Sequence, residues 1–182
     1  MNLFSILAAD LRRARFLYCG NEDNVSGVRL VVGVLSPRFM PVLLLRLSLF
    51  FYYCHLNFIS KIFSLVNFVI FGLEVAAQCQ IGKGIFFPHT SGIVIGAYSI
   101  GENVTIFQGV TLGARDIDFK FSSKSRPTIE SDVSIGAGAK VLGSITIGAG
   151  SRIGANAVVV NSIPPNAVAV GVPAAVIRTN KS

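Results

Sequence analysis

Residues 129–159 read IESDVSIGAGAKVLGSITIGAGSRIGANAVV, and this stretch decides the fold. A branched aliphatic residue recurs there at every sixth position: Ile129, Ile135, Val141, Ile147, Ile153 and Val159. A six-residue period matches neither the turn of a helix nor the simple alternation of an ordinary strand. It is the period of a hexapeptide β-helix, in which each hexad forms one short strand and one corner. Small residues such as Gly136 and Gly148 follow the aliphatic residue and let the backbone turn the corner.

The same period continues upstream of Ile129 with interruptions. The positions in step are Val75, Ile81 and Phe87, followed by Val94, Ile100, Ile106 and Leu112. The longer step between Phe87 and Val94 predicts one inserted residue near Gly92. The period then stops until Ile129, so residues 114–128 are predicted to form a loop that projects from one coil. Long loops in compact repeats are more often functional than idle.

Composition limits the classes of protein that this chain can belong to. It has 182 residues and a net charge of +7, and 52% of the residues are apolar. That content predicts surface buried in an oligomer, at a membrane, or in both. The Lys and Arg residues are scattered without the aromatic partners of a nucleic-acid site, so we expect no nucleic-acid partner. Cys19, Cys54 and Cys79 are too few for a disulfide framework or a metal site and are predicted to be buried, reduced thiols of a cytoplasmic protein.

Residues 1–73 are predicted to form a short apolar α-helical region. The first helix, residues 3–18, is amphipathic, and its polar positions are Asp10, Arg12, Arg13 and Arg15. A second helix is expected from Pro37 and Pro41 to about Cys54, and a third from Lys61 to Gly72. Arg46 and the shortness of the third segment argue against membrane spans. The apolar surface is expected either to lie peripherally on the inner face of the plasma membrane or to be buried in an oligomer interface.

The β-helix is predicted to occupy residues 74–177. Pro164 and Pro165 are expected to end the regular coils, and residues 168–170 to add one last strand. A polar tail, residues 178–182, follows. The expected fold class is therefore mainly β, with a hexapeptide-repeat parallel β-helix behind the helical region.

Four segments carry a family resemblance. They read FPHTSGIVIG at 87–96, IFQGVTLG at 106–113, IGAGAKVLG at 135–143 and PPNAVAVGVPA at 164–174. They resemble the serine acetyltransferase branch of the hexapeptide acyltransferases, closely over residues 74–177. The resemblance implies a left-handed β-helix, a homotrimer with active sites between neighbouring subunits, and acetyl-CoA as a co-substrate without a permanently bound cofactor.

The chain departs from that family at two catalytic positions. Serine acetyltransferases have two catalytic histidines and an aspartate before the first one. His89 falls on the first histidine, but Pro88 replaces the aspartate and Arg126 stands where the second histidine falls. These departures and the apolar N-terminal region favour a transferase that O-acetylates a saccharide or lipid-linked saccharide of a surface polysaccharide. The alternatives are serine O-acetylation in cysteine biosynthesis and an inactive trimeric scaffold.

The chemistry of acetyl transfer assigns roles to a few residues. A histidine can take the proton of the attacking hydroxyl near neutral pH, which makes His89 the predicted general base and not merely a corner histidine. Gln108 is predicted to orient His89 or the acceptor. By its match to the acetyl-binding turn of the family, the turn at Gly113 and Ala114 is expected to stabilise the oxyanion through a backbone N–H. No cluster of His, Cys and carboxylates predicts a metal.

The phase of the hexads predicts a column of residues that leads to the donor. His89, Gln108, Ala137 and Ala155 are each third in their hexad, so they are expected to stack on successive coils. The resemblance places CoA contacts near Ala137, Arg152 and Ala155. Arg126 is expected to bind an anionic group of the acceptor or of CoA, or else to be a solvated loop charge.

Overall fold

The computed structural model describes residues 2–20, 33, 36–118 and 120–179. Its main body is a three-sided β-helix in which parallel strands stack into three sheets, one for each face. The first face contains β1 (Leu73–Val75), β3 (Ile93–Ile95), β6 (Thr111–Gly113), β9 (Lys140–Leu142) and β12 (Val158–Val159). The second contains β2 (Gln80–Ile81), β4 (Ser99–Ile100), β7 (Thr128–Ile129) and β10 (Thr146–Ile147). The third contains β5 (Thr105–Ile106), β8 (Ser134–Ile135), β11 (Arg152–Ile153), β13 (Ala167–Val170) and β14 (Ala175–Thr179).

The aliphatic residues of the 129–159 stretch form the core, as the hexad period predicts. All six are at most 3% exposed. Equivalent positions pair from coil to coil, so Ile135 stands opposite Ile153 and Ile106 opposite Ile135. Burying one such side chain contributes about 1.5–3 kcal/mol, which explains why the repeat is held in register.

The phase predicted upstream is wrong at Val94. Val94 is 37% exposed, whereas Ile93 and Ile95 are buried, and Ile95 pairs with Leu112. The step from Phe87 to Ile95, the next residue at the same position of the hexad, is therefore eight residues, so the corner holds two extra residues and not one. The consequence is a widened corner at residues 88–92, which contains His89.

The two prolines expected to end the coils instead occupy a corner. Ile163 pairs with Ile147, and the strand β13 that follows pairs in parallel with β11. The backbone of Pro165 lies so close above Gly148 that a Cβ on Gly148 would clash with it. The strand β14 then returns antiparallel to β13, caps the third face and extends to Thr179.

Three helices precede the coils: α1 (Leu3–Cys19), α2 (Met40–Tyr53) and α3 (Asn57–Phe71). The Asn2 side chain caps α1 by accepting from Ser5 N–H at 3.3 Å. The third helix begins four residues before the predicted start at Lys61. Helices α2 and α3 form a hairpin, in which Asn67 Nδ2 donates to the Pro41 carbonyl at 2.9 Å. Gly72 ends α3 with φ +64°, a conformation that glycine adopts without strain.

A buried ion pair joins the helices to the first coil. Asp10 and Arg46 are 0% and 1% exposed, and Arg46 Nε donates to Asp10 Oδ2 at 2.8 Å. Arg46 also donates to the carbonyls of Ile81 and Gly82, while Asp10 accepts from the N–H groups of Gly84 and Ile85. The placement of Asp10 on the polar face of α1 was therefore wrong, because it faces the coil.

Two further expectations concern the surface of the helical region. Within the described residues, no helix is long and apolar enough to cross a bilayer. The side chains of Phe58, Leu65 and Val69 on α3 are largely exposed, so contact of this region with a membrane stays a prediction. Cys79 is buried as expected, and burial raises the pKa of its thiol to about 12. Cys54 is exposed, so the expectation of a buried thiol is wrong there.

Candidate active site

His89 lies exposed in the widened corner between the third and first faces. The corner is fixed on both sides, because Phe86 pairs with Thr105 before it and Ile93 pairs with Leu73 after it. Gly92 adopts φ +72°, which lets the chain turn into β3. The imidazole is thus carried on a rigid scaffold and remains open to a substrate from solvent or from a neighbouring subunit.

The strand pairing stacks Gln108, Ala137 and Ala155 at the same corner. Gly138 N–H donates to the Gln108 carbonyl and Asn156 N–H to the Ala137 carbonyl, both at 2.8 Å. The backbone that continues this stack below Gln108 is Ser91, whose carbonyl accepts from Gly109 N–H at 2.9 Å. His89 lies two residues before Ser91, in the widened corner. Ser91, and not His89 as predicted, is therefore the member of the column on this coil, and His89 lies beside the column.

The side chain of Gln108 supplies an unpartnered polar atom at this corner. Its Oε1 is buried and has no hydrogen-bond partner among the described residues. Buried polar atoms of native proteins nearly always have a partner. The Gln108 oxygen therefore has room in its hydrogen bonding for a donor from outside the chain, and its predicted role in orienting His89 or the acceptor stays a prediction.

Arg126 anchors the long loop between β6 and β7. Its Nε donates to Asp118 Oδ2 at 2.9 Å, its Nη1 to the Gly96 carbonyl at 2.8 Å, and its guanidinium lies 4.2 Å from the ring centre of Phe121. Burial acts to raise the pKa of Asp118, but hydrogen bonds from Ser122 N–H, Arg126 and Lys120 N–H outweigh it and lower that pKa. The alternative of a freely solvated loop charge is therefore wrong. With Nη2 donating to the Asp118 carbonyl, two of the five guanidinium hydrogens are left for a ligand, and the predicted anion contact stays a prediction.

Gly113 and Ala114 lie at a different corner from His89. Gly113 ends β6, and its carbonyl accepts from Gly143 N–H at 2.9 Å. No acceptor for the Ala114 N–H is found in the part of the chain that the structure describes. From Gln108 to Ala114 the chain crosses the first face in six residues, which span up to about 20 Å of extended backbone. His89 and Ala114 of one chain therefore do not form one site.

The residues expected to bind CoA remain accessible. Arg152 is exposed on the outer side of β11, Ala155 is exposed at the corner above Ala137, and Ala137 is half-buried. The small side chains of the two alanines leave the backbone of this corner approachable. No group of three or more His, Cys, Asp or Glu side chains comes together as a metal site within the described residues.

A large groove, of about 960 Å³, lies elsewhere. It runs between α2 and the second face, lined by Leu49, Tyr53, Gln80 and Thr128 among others, and excludes His89. Its charged lining residues are Arg46, which is held by Asp10, and the exposed Glu130. It offers no histidine for acid–base chemistry, so the corner of His89 is the better candidate site.

Sequence reasoning missed Asp118, the residue that fixes Arg126. The sequence signal was present, because Asp118 and Asp116 are the only acidic residues between Gly113 and Arg126. The loop carries two arginines, Arg115 and Arg126, together with these two aspartates, so it is a candidate for an internal ion pair. The geometry that selects Asp118 over Asp116 depends on the turn at residues 118–122.

Comparison with known sequences agrees with this architecture. A family model described as bacterial transferase hexapeptide (six repeats) matches residues 126–161. The chain is 39% identical to a serine acetyltransferase of Helicobacter pylori over 161 residues, which are 88% of this chain and 92% of that protein. It is 43% identical to a serine acetyltransferase of Bacillus pumilus over 74% of this chain, where it spans only 61% of the relative.

Solved structures give the same result. A serine acetyltransferase in complex with CoA superposes with a TM-score of 0.80 at 30% identity, covering 96% of this chain and 69% of that one. The soybean serine acetyltransferase apoenzyme superposes with a TM-score of 0.79 at 31% identity over the same shares. These likenesses confirm the predicted left-handed β-helix behind short N-terminal helices.

The expected acceptor has to be corrected. A saccharide of a surface polysaccharide was the first expectation, but the relatives and solved structures described above are serine acetyltransferases. The missing second histidine and the replaced aspartate therefore did not indicate a polysaccharide enzyme, and the alternative of serine acetylation is the better supported one. With 39% identity along nearly the whole of a relative, the chain belongs to the hexapeptide-repeat acyltransferases, in the same family as the serine acetyltransferases.

Proposed function

We propose that this protein is an acetyl-CoA-dependent serine O-acetyltransferase with His89 as its general base. The observation that carries the proposal is the identity to the Helicobacter pylori serine acetyltransferase across both nearly complete chains. The exposed histidine at a rigid corner, beside the unpartnered Gln108 amide, agrees with that assignment.

The reaction follows from these groups. His89 takes the proton of the serine hydroxyl while its oxygen attacks the thioester carbonyl carbon. The carbonyl oxygen becomes an oxyanion, which the Ala114 N–H stabilises as a preorganised donor. The carbon–sulfur bond then breaks, the acetyl group stays on the serine oxygen, and CoA leaves as a thiolate that is protonated by the imidazolium or by water. No metal takes part in these steps.

The departures at Pro88 and Arg126 are compatible with this chemistry. Arginine stays protonated at neutral pH and cannot replace a second histidine as a base. A thiolate is a good leaving group, so one base is sufficient. What Pro88 removes is a carboxylate that would orient the imidazole, and Gln108 is the nearby side chain on the adjoining coil that can take over this orienting role.

The separation of His89 and Ala114 along one chain supports a trimer. Since the two residues lie at different corners of a three-sided prism, a ring of three chains brings the His89 corner of one chain to the Ala114 corner of the next. Such a heterologous contact closes into a ring with three equivalent sites. The acceptor and the acetyl group would then be bound between subunits.

Replacing His89 tests the base directly. His89→Ala should lower turnover with acetyl-CoA and L-serine by about two to four decades, the usual contribution of a general base. The KM for acetyl-CoA should change little, since the imidazole contacts the acceptor hydroxyl. Release of CoA thiol is measured for L-serine, with D-serine, L-threonine and simple sugars as comparison acceptors.

His55→Asn is the matched control. His55 is the other histidine of the chain, is exposed in the turn between α2 and α3, and has φ +60°, which asparagine tolerates. This variant should keep wild-type turnover. If His89→Ala also keeps most of the turnover, His89 is not the base. If purified wild-type protein releases no CoA with L-serine, the proposed activity is wrong.

A further inference from the structure

An apolar cavity of about 280 Å³ lies between α1, the start of α2 and the first coil. Leu11, Phe39 and Val42 form its inner end, and each of them is at most 4% exposed. Gly33 closes one side, because a Cβ at this position would lie only 3.0 Å from a methyl carbon of Leu11. The enclosing side chains are thus mainly aliphatic and aromatic, as in sites for small apolar ligands.

Two arginines line the open end of this cavity. Arg15 is half-buried on α1, and Arg38 is exposed in the turn before α2. Among the residues that the structure describes, neither arginine forms an ion pair and no carboxylate lines the cavity. The neighbouring Arg13 differs, because its Nη2 donates to the Asn103 carbonyl at 2.6 Å and so holds α1 against the coils. Arg15 and Arg38 therefore place an uncompensated positive charge beside an apolar cavity.

Aromatic contacts hold Arg38 in this position. The central carbon of its guanidinium lies 5.1 Å from the ring centre of Tyr18, within the range of a cation–π contact. The Tyr18 ring in turn packs edge-on against Phe86, with the ring centres 5.2 Å apart. A contact through the face of a ring uses none of the five guanidinium hydrogens, so it leaves them to an anionic group.

The volume of the cavity fits one short hydrocarbon chain. A dry apolar cavity of about 150 Å³ holds benzene, so 280 Å³ provides space for roughly ten carbon atoms. A phospholipid carries two acyl chains and would need more space than this. A single chain in the cavity and one negative charge at the arginines together describe a free carboxylic acid of medium chain length.

We infer that this cavity binds a medium-chain fatty acid such as decanoate, with the carboxylate between Arg15 and Arg38. Removal of the chain from water provides the affinity, and the arginines select the anionic head group. The site is distinct from the corner of His89 but adjoins its coil, because Phe87 lines the cavity two residues before His89. The inference does not depend on the proposed function, since neither arginine takes part in acetyl transfer.

Titration calorimetry of the full-length protein in detergent-free buffer tests the site. Decanoate should bind about tenfold more tightly than octanoate, because two further methylene groups leave water. Dodecanoate should gain little over decanoate, since the cavity is then full. Decanol has the same chain with a neutral head group, and it should bind about tenfold more weakly than decanoate.

Three variants separate the head group from the chain. Arg38→Gln should weaken decanoate binding about tenfold and leave decanol binding unchanged. Arg12→Gln is the matched control, because Arg12 is exposed on α1 and does not line the cavity, and it should leave both affinities unchanged. Ala14→Leu extends a side chain into the cavity and should abolish binding of both ligands.

Several outcomes would overturn the inference. One is equal affinity of the wild type for decanoate and decanol, and another is an equal loss of decanoate binding in Arg38→Gln and Arg12→Gln. A third is a wild type that does not bind decanoate, and sedimentation of that protein with phosphatidylglycerol vesicles would then assign the arginines to a membrane surface. None of these results bears on the proposed function, which release of CoA with L-serine tests separately.

Discussion

Replacing Arg46 with methionine should undock the N-terminal helices from the β-helix. The side chain donates to both carboxylate oxygens of Asp10, at 2.8 and 3.1 Å, and to the carbonyls of Ile81 and Gly82, at 2.9 and 2.6 Å. Arg46→Met leaves the Asp10 carboxylate fully buried with only two amide donors and no cation. Breaking a buried pair in this way costs about 3–5 kcal/mol, out of a total stability of about 5–15 kcal/mol.

Urea unfolding followed by circular dichroism measures this loss. With an m value of about 2 kcal/mol/M, the midpoint should fall by about 1.5–2.5 M. Wild type and variant are compared at one protein concentration, because oligomerisation makes the apparent stability depend on it. Hydrogen exchange should show the loss first in α1 and α2, while the strands around Ile135 and Ile153 keep their protection.

Two further variants decide whether the reasoning holds. Buried ion pairs can often be replaced by apolar residues without loss. Here the double variant Asp10→Leu/Arg46→Met should not regain wild-type stability. It also removes the hydrogen-bond partners of four backbone groups, at residues 81, 82, 84 and 85. Lys83→Met, which breaks an exposed pair with Glu102 at 3.6 Å, should cost less than about 1 kcal/mol. An Arg46→Met variant as mild as Lys83→Met would refute the account.

Two other predictions concern the coils and the assembly. Gly136→Ala should destabilise the protein by about 1–3 kcal/mol in the same urea assay, because the added Cβ would lie 2.7 Å from the backbone nitrogen of Ala155. Gly113→Ala is the control: no atom lies within 4 Å of its added Cβ, so its free energy of unfolding should stay within about 0.5 kcal/mol of the wild type. The His89→Ala variant and the Ala114→Pro variant should each be nearly inactive alone. When the two are unfolded together and reassembled one to one, about a quarter of wild-type turnover should return, because each mixed trimer in a ring has one intact site of three. Absence of recovery with proven mixing would place both residues in one chain's site.

The coils could be predicted from the sequence because their signal is local and periodic. The exception at Val94 shows where that signal ends. Ile93, Val94 and Ile95 are three branched residues in a row, so hydrophobicity alone does not say which of them face inward. The pairing of Ile95 with Leu112 on the next coil decides it, and that contact spans seventeen positions of sequence. The widened corner of His89 is the direct result of this shift.

Asp10 and Arg46 could not be predicted for a related reason. In the pattern of α1, Asp10 lies between Leu7 and Leu11, on the face that those two leucines bury. A charged residue on an apolar face is normally assigned to solvent unless its partner is known. The partner lies 36 positions away on another helix, and the two amides that complete the site come from the first coil. Only the tertiary fold brings these groups together.

The error about the acceptor has a chemical origin. A histidine base activates a serine hydroxyl and a sugar hydroxyl by the same proton transfer, so neither His89 nor the missing second histidine carries information about the acceptor. Selection of the acceptor depends on groups that contact the rest of that molecule. In the loop at residues 114–128, the Asp118–Arg126 pair and the Gly96 carbonyl hold Arg126 in place and use three of its five guanidinium hydrogens. Contact of Arg126 with an anionic group of the acceptor or of CoA stays a prediction, and a guanidinium suits a carboxylate such as that of an amino-acid acceptor better than it suits a neutral sugar.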